Sequence, residues 1–191
     1  HGIVISYDID YYVIELYKEV QKGWIPPSLV TKELYIKVKE TPENYPAHLV
    51  GFIGFGCSYS GKWFGGYATG GTNSNGTPRN YAAESQRNII KQSTTLKNIQ
   101  IFNKEYYNLE IPDNSIIYCD PPYSKTTGYK NVINHEDFWN WVRKMSKKHR
   151  VYISEYEAPK DFKCIWTKKV SNTLSSKTKK NIEKLFIWGN N

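Results

Sequence analysis

The chain has 191 residues, a length that suits one domain with a small insertion and can bury a sizeable core. Cys57, Cys119 and Cys164 are far apart with no Cys-x-x-Cys pair, and the four histidines are equally dispersed, so neither a disulfide framework nor a metal site is indicated. The formal net charge of +8 suits a polyanionic partner, although a merely basic surface would account for it equally well.

Sixteen tyrosines and six tryptophans tilt the choice towards nucleic acid, because aromatic rings stack on unpaired bases. No apolar run is long enough to span a bilayer and no signal-peptide pattern opens the chain, so a cytoplasmic protein with no membrane contact is expected.

In chain order, Ile3 to Tyr7 read as a strand ending at Asp8. Asp10 can cap a helix in which Val13, Leu16, Tyr17 and Val20 recur at helical spacing, and Gly23, Pro26 and Pro27 close it. Thr31 can cap a second short helix to about Glu40. The block "GFIGFGCSYSGKWFGGYATGGTNSNGTPRN", residues 51–80, is so rich in glycine that it is expected to be too flexible for a regular core element. Asn80 can start a helix to about Thr95, and Ile99 to Phe102 and Ser115 to Cys119 read as strands. Asn134 can cap a helix with Phe138, Trp141, Val142 and Met145 on one face. Val151 to Ser154 make the next strand, and the apolar runs at 164–166 and 185–188 form an antiparallel hairpin. The alternation predicts an α/β fold: a mostly parallel sheet with helices on both faces, in which 1–22 and 81–191 form the core and 23–80 a partly helical insertion.

One stretch carries more than architecture. "IIYCDPPYSKTTGY", 116–129, drives a short apolar strand of the doubly buried kind into Asp120 and stops it on two prolines. Neither proline can donate to a ladder, and the residue before a proline is pushed out of the α region. Asp120 should therefore stand extended at the carboxyl edge of a sheet, where ligands bind in open α/β folds. Alone, Asp-Pro-Pro also reads as a stiff surface turn.

"DPPY" at 120–123 after "IIYC", together with "YDID" at 7–10, the glycine- and aromatic-rich block, "EYYNLEIPDNSIIYCDPPY" and "VYISEYEAP", resembles the Dam-like adenine-N6 DNA methyltransferases of phages and bacteria. The likeness extends over nearly the whole chain. It implies a seven-stranded Rossmann-like sheet, S-adenosylmethionine as cofactor, double-stranded DNA as partner, no metal and a monomer. In this reading the Asp120 carboxylate and the Pro121 carbonyl each accept one hydrogen of the target amine, and Pro122 stiffens the turn. That pulls the nitrogen towards tetrahedral geometry and aims its lone pair. Tyr123 supplies a face for an adenine flipped out of the duplex.

The resemblance also implies cofactor contacts. Asp8 would bind the ribose hydroxyls, Ile9 would pack on the adenine, Tyr106 would lie against the same ring, and Asp120 would border the cofactor. Glu105 stands before Tyr106 where the family carries aspartate, and Asp8, Asp10 and Tyr106 also read as ordinary caps and core. The family's Phe-x-Gly-x-Gly loop is not found ahead of Asp8. That implies a fragment, an element supplied otherwise, or an inactive protein, and weak cofactor binding by the chain as given. The "FIGFG" at 52–56 follows Asp8 and reads as part of the insertion.

Lys62, Trp63, Arg79, Arg87 and Lys125 are the expected DNA contacts, with Phe64 and the lysines around 177–180 as further candidates; each lysine also reads as a solvated surface charge. A DNA- or nucleotide-binding module without turnover, and methyl transfer to RNA adenine, cytosine N4 or a protein glutamine, remain open alternatives.

Overall fold

A computed structural model of the chain describes residues 2–122, 133–170 and 181–189. It divides into two compact units, His1–Leu109 and Glu110–Asn191.

The first unit is built on β1 (Val4–Asp8) and β2 (Ile99–Asn103), which pair in parallel from Val4 opposite Ile99 to Asp8 opposite Asn103. Between them run α1 (Tyr11–Gln21), α2 (Lys32–Glu40), α3 (Ala47–Gly51) and α4 (Tyr81–Leu96). The caps are those the sequence predicts. Asp10 accepts the Tyr12 and Val13 amides, Thr31 the Leu34 amide and Asn80 the Ala83 amide, each satisfying amide hydrogens that a helix start leaves orphaned. Gln21 ties the last turn of α1 to the entry of β2, its Nε2 donating to the carbonyls of Leu96 and Ile99 at 2.7 Å each.

The glycine-rich block departs from expectation. Residues 52–56 continue α3 as a π-helical turn, and Phe52 and Ile53 are fully buried. They share one core with Leu16 and Val20 of α1, Val30, Tyr35 and Val38, and Ala82 of α4. The glycines serve close packing rather than flexibility. A Cβ on Gly51 would stand 2.3 Å from the Tyr12 carbonyl oxygen, and one on Gly54 would stand 2.5 Å from the Trp63 ring. Two backbones and an indole approach closely only because no side chain intervenes. Beyond the turn, Ser58 Oγ donates to the Gly54 carbonyl and shares a 2.8 Å hydrogen bond with the buried Tyr35 hydroxyl, which also accepts the Gly66 amide. These contacts lock the 58–67 loop, so its buried polar atoms are satisfied.

The second unit holds a four-stranded sheet in the order β3 (Ile116–Cys119), β4 (Arg150–Glu155), β6 (Asn181–Trp188), β5 (Phe162–Val170). β3 and β4 are parallel and connected through α5 (His135–Met145), while β6 pairs antiparallel with both β4 and β5. The C-terminal hairpin is thus present, with its last strand inserted between β4 and β5. Phe138, Trp139 and Val142 of α5 are buried with Val151, Ile153, Phe162 and Phe186, and the Trp139 and Phe162 rings meet edge-on at 4.7 Å. Two features differ from the sequence reading. The described strands form two sheets with equal numbers of parallel and antiparallel pairings, because β6 supplies both antiparallel ladders. β3 is an edge strand of its sheet, with Ile116 and Tyr118 exposed on one face instead of buried on both; a short apolar run does not reveal how many faces are covered. Among the described residues no helix is long and apolar enough to cross a membrane.

Candidate active site

In the second unit, β3 ends at Cys119 and hands the chain directly to Asp120 at the carboxyl edge of the sheet. Pro121 is buried and Pro122 half-buried, whereas Asp120 is exposed. An anchored, ring-stiffened backbone thus presents a carboxylate and a carbonyl with little freedom to rearrange. The amino end of the strand is fastened as well: the Ser115 amide donates to His149 Nδ1 at 3.3 Å, and the Arg150 amide to the Ser115 carbonyl at 3.1 Å. Burial pushes the Cys119 thiol up to about 12, so the residue before Asp120 is a neutral thiol at physiological pH. Tyr123 and Lys125 lie outside the described residues, as do the lysines around 177–180.

Glu155 was not anticipated. It ends β4, the parallel neighbour of β3, and is 1% exposed, with Oε2 accepting the Tyr156 amide at 2.6 Å. Cys119 pairs with Ile153, so Glu155 belongs to the same carboxyl edge as the Asp-Pro-Pro turn. The signal was present in the sequence, since Val151, Ile153 and Glu155 occupy successive inward positions of a period-two pattern, the last an acid.

In the first unit the expected cofactor residues converge on the carboxyl ends of β1 and β2. Asp8 closes β1, its Oδ1 accepting the Asp10 amide at 2.7 Å. Although its accessible area is high, surrounding protein raises its pKa, with the Asp10 charge adding to the effect against opposing backbone hydrogen bonds. Ile9 is 44% exposed. Asn103, opposite Asp8 in the ladder, donates from Nδ2 to the carbonyls of Asp8 and Ile9, and the Lys104 amide also donates to Asp8. Tyr106 follows in a short 3-10 turn, half-buried and edge-on to the Tyr107 ring at 5.2 Å. A cavity of about 130 Å³ between α1 and the two strands is lined from Asp8 and Tyr17 at one end to Leu96 and Ile99 at the other. It is smaller than the few hundred Å³ a ligand pocket needs.

These residues fit S-adenosylmethionine in kind: a carboxylate for vicinal hydroxyls beside an exposed apolar side chain and a tyrosine for a purine. Among the described residues no group of three or more histidine, cysteine or acidic side chains could hold a metal ion.

The expected DNA contacts do not behave alike. Lys62, Arg79 and Arg87 are exposed. Trp63 is half-buried in an aromatic stack, parallel to Tyr12 at 5.1 Å and tilted against Phe55 at 4.8 Å, and Phe64 packs on it edge-on at 4.7 Å. Trp63 thus packs between the glycine block and α1. Arg79 and Arg87 flank Glu84, whose pKa is lowered mainly by the Arg79 hydrogen bond.

A family model for the D12 class N6 adenine-specific DNA methyltransferases matches residues 66–184. The chain belongs to this family, whose activity is methylation of adenine N6 in DNA with S-adenosylmethionine as donor. The match contains Asp120 to Tyr123 and Tyr106 but not residues 1–65, where the resemblance had been expected to continue and where Asp8 and Ile9 lie. No curated protein matches the chain.

Proposed function

We propose that the protein transfers a methyl group from S-adenosylmethionine to N6 of an adenine flipped out of a specific duplex DNA sequence. The observation that carries this reading is the Asp-Pro-Pro turn at the carboxyl end of β3, with Pro121 buried and the Asp120 carboxylate exposed. An exocyclic adenine amine is a poor nucleophile because its lone pair is delocalised into the ring. The Asp120 carboxylate and the Pro121 carbonyl accept its two hydrogens and draw the lone pair out of the ring plane, in a geometry set before the base arrives. Tyr123 stacks on the flipped base and offsets part of the cost of unstacking it. Asp8 holds the ribose hydroxyls and Ile9 with Tyr106 the purine of the cofactor, which when bound supplies an electrophilic methyl group. Lys62, Arg79, Arg87 and Lys125 contact the duplex, and 23–80 contributes to target recognition.

Incubating the protein with duplex DNA and cofactor labelled in its methyl group, followed by nucleoside analysis, tests the reading. Label in N6-methyladenine is the expected result. Label in cytosine, in RNA or in protein, or no transfer with DNA still bound, would overturn it.

A further inference from the structure

Arg79 is held in a manner unlike the other exposed basic residues of the first unit. Its backbone is set by a tight hairpin: Thr72 bridges Pro78, the Asn73 amide donates to the Thr77 carbonyl at 2.8 Å, and the Arg79 amide donates to the Gly71 carbonyl at 3.2 Å. Its side chain is then fixed twice. Nε donates to Glu84 Oε1 at 3.0 Å and Nη2 to Glu84 Oε2 at 2.5 Å, while the guanidinium carbon lies 4.5 Å from the centroid of the Tyr81 ring. Tyr81 is itself braced edge-on by Tyr59. Glu84 is held by the helix that carries it, so the whole assembly is anchored to the first turns of α4.

The pairing is side-on, through Nε and one hydrogen of Nη2. Among the described residues the end-on fork, Nη1 with the remaining hydrogen of Nη2, carries no other hydrogen bond. The side chain remains 39% exposed, which leaves its outer edge open to a partner. A guanidinium used this way is a rigid two-donor edge with its direction set in advance. Two parallel acceptors in one plane are what the major-groove edge of guanine presents in O6 and N7, and no other base presents that pair. A phosphate contact needs no such restraint, because a free lysine or arginine serves it.

We propose that Arg79 is a specificity-determining residue that reads one guanine of the target sequence through its end-on fork, with Glu84 and Tyr81 as positioning residues that hold the fork in direction. The inference rests on the reading of the protein as a sequence-specific DNA methyltransferase.

Selection from duplex DNA with randomised bases, scored by binding and separately by N6-methyladenine mapping, tests it. The expected wild-type motif contains a fixed guanine, and Arg79→Ala loses the preference at that position roughly tenfold to a hundredfold while other positions keep theirs. Arg79→Lys keeps the charge but not the planar fork held by Glu84, and should weaken the preference less than Arg79→Ala. Glu84→Gln should weaken it with less effect on total binding. Replacing that guanine by 7-deazaguanine, which removes the N7 acceptor, should reproduce the loss with unaltered protein, so the outcome does not depend on a variant folding. A motif without a fixed guanine, an unchanged motif in Arg79→Ala, or uniform weakening across all sequences with a shallower salt dependence, as for a phosphate contact, would overturn the inference. Guanine selection without adenine methylation would sink the proposed function alone. Methylation without guanine dependence would sink this inference alone.

Discussion

Asn103 grips the turn that follows Asp8: one side-chain amide nitrogen donates to the Asp8 carbonyl at 2.9 Å and to the Ile9 carbonyl at 2.8 Å. The direction in which Asp8 and Ile9 face is therefore set from the neighbouring strand. Asn103→Ala removes one donor from each carbonyl, leaving the Asp8 carbonyl with the Lys104 amide, and Asn103→Asp sets a carboxylate against them. Each hydrogen bond is worth about 1 kcal/mol, so cofactor affinity should fall roughly fivefold to tenfold in the alanine variant and further in the aspartate one. Titration calorimetry with unchanged far-ultraviolet dichroism checks this, and an unaltered affinity in Asn103→Asp would refute it.

Asp8 carries a second expectation. Burial and the Asp10 charge raise its pKa, so the folded state favours the protonated form more than the unfolded chain does. Ionising it costs stability, and that cost appears as pH rises from the ordinary carboxylate value through the raised one. Asp8→Asn should remove the cost while keeping an acceptor for the Asp10 amide. The variant should melt higher than the parent at neutral pH, equally at low pH, and bind cofactor less well. Thermal melts across pH 3 to 8 measure the first effect; a lower melting point at pH 7 would contradict it.

In the proposed clamp, Asp120→Ala would remove one of two acceptors on the amine and should cost on the order of 3 kcal/mol or more in the chemical step, with a smaller change in cofactor binding. Tyr123→Ala removes a stacking face worth roughly 1–3 kcal/mol, shared between base binding and turnover, while Tyr123→Phe or Trp keeps it. Single-turnover methylation with a defined duplex separates the two. Near-normal transfer by Asp120→Ala combined with loss in Tyr123→Phe would end the clamp reading.

Gly51→Ala should destabilise the first unit, because the added methyl would fall 2.3 Å from the Tyr12 carbonyl oxygen and backbone must move to admit it. Overpacking of this kind costs about 1–3 kcal/mol. Gly70→Ala meets nothing within 4 Å but has a φ of +80°, so its smaller cost comes from backbone strain alone. Denaturant midpoints compare the two, and the reverse order would show the packing account to be wrong.

In the second unit, Arg143 donates Nε and Nη2 to Asp161, and Trp188 Nε1 donates to the same carboxylate at 3.0 Å. The Arg143 hydrogen bond is the first cause that holds the Asp161 carboxyl down to about 2. A depressed carboxylate lends stability above its unfolded value near 4, and loses it as pH falls from there to about 2. The pair is largely solvated, so the contribution is under about 1 kcal/mol. Arg143→Ala should lower the melting point more at pH 7 than below pH 2, where only its contacts with Asn140 and Phe162 are left to lose.

Much of this architecture is legible in the sequence. Asp10, Thr31, Asn80 and Asn134 announce their helices through capping chemistry, which is local and needs no knowledge of the fold. Asp-Pro-Pro announces a strand end for the same reason. What stayed hidden depends on neighbours distant in the chain. Gly51 is small because Tyr12 approaches it, Trp63 is inward because Gly54 makes room, and Asn103 acts on Asp8 across a parallel ladder. The exposure of Ile116 and Tyr118 follows from the place of β3 in the strand order.

The contact of Gly51 with Tyr12 limits how the glycine block could be exchanged. Tyr12 lies in the first turn of α1, whose cap Asp10 is itself hydrogen-bonded to Asp8, so the glycine block and the strand end that holds Asp8 form one mechanical body. Residues 23–80 therefore do not behave as a cassette. A chimaera that grafts a relative's block should fold only when α1 and α4, which complete its core, are transplanted with it.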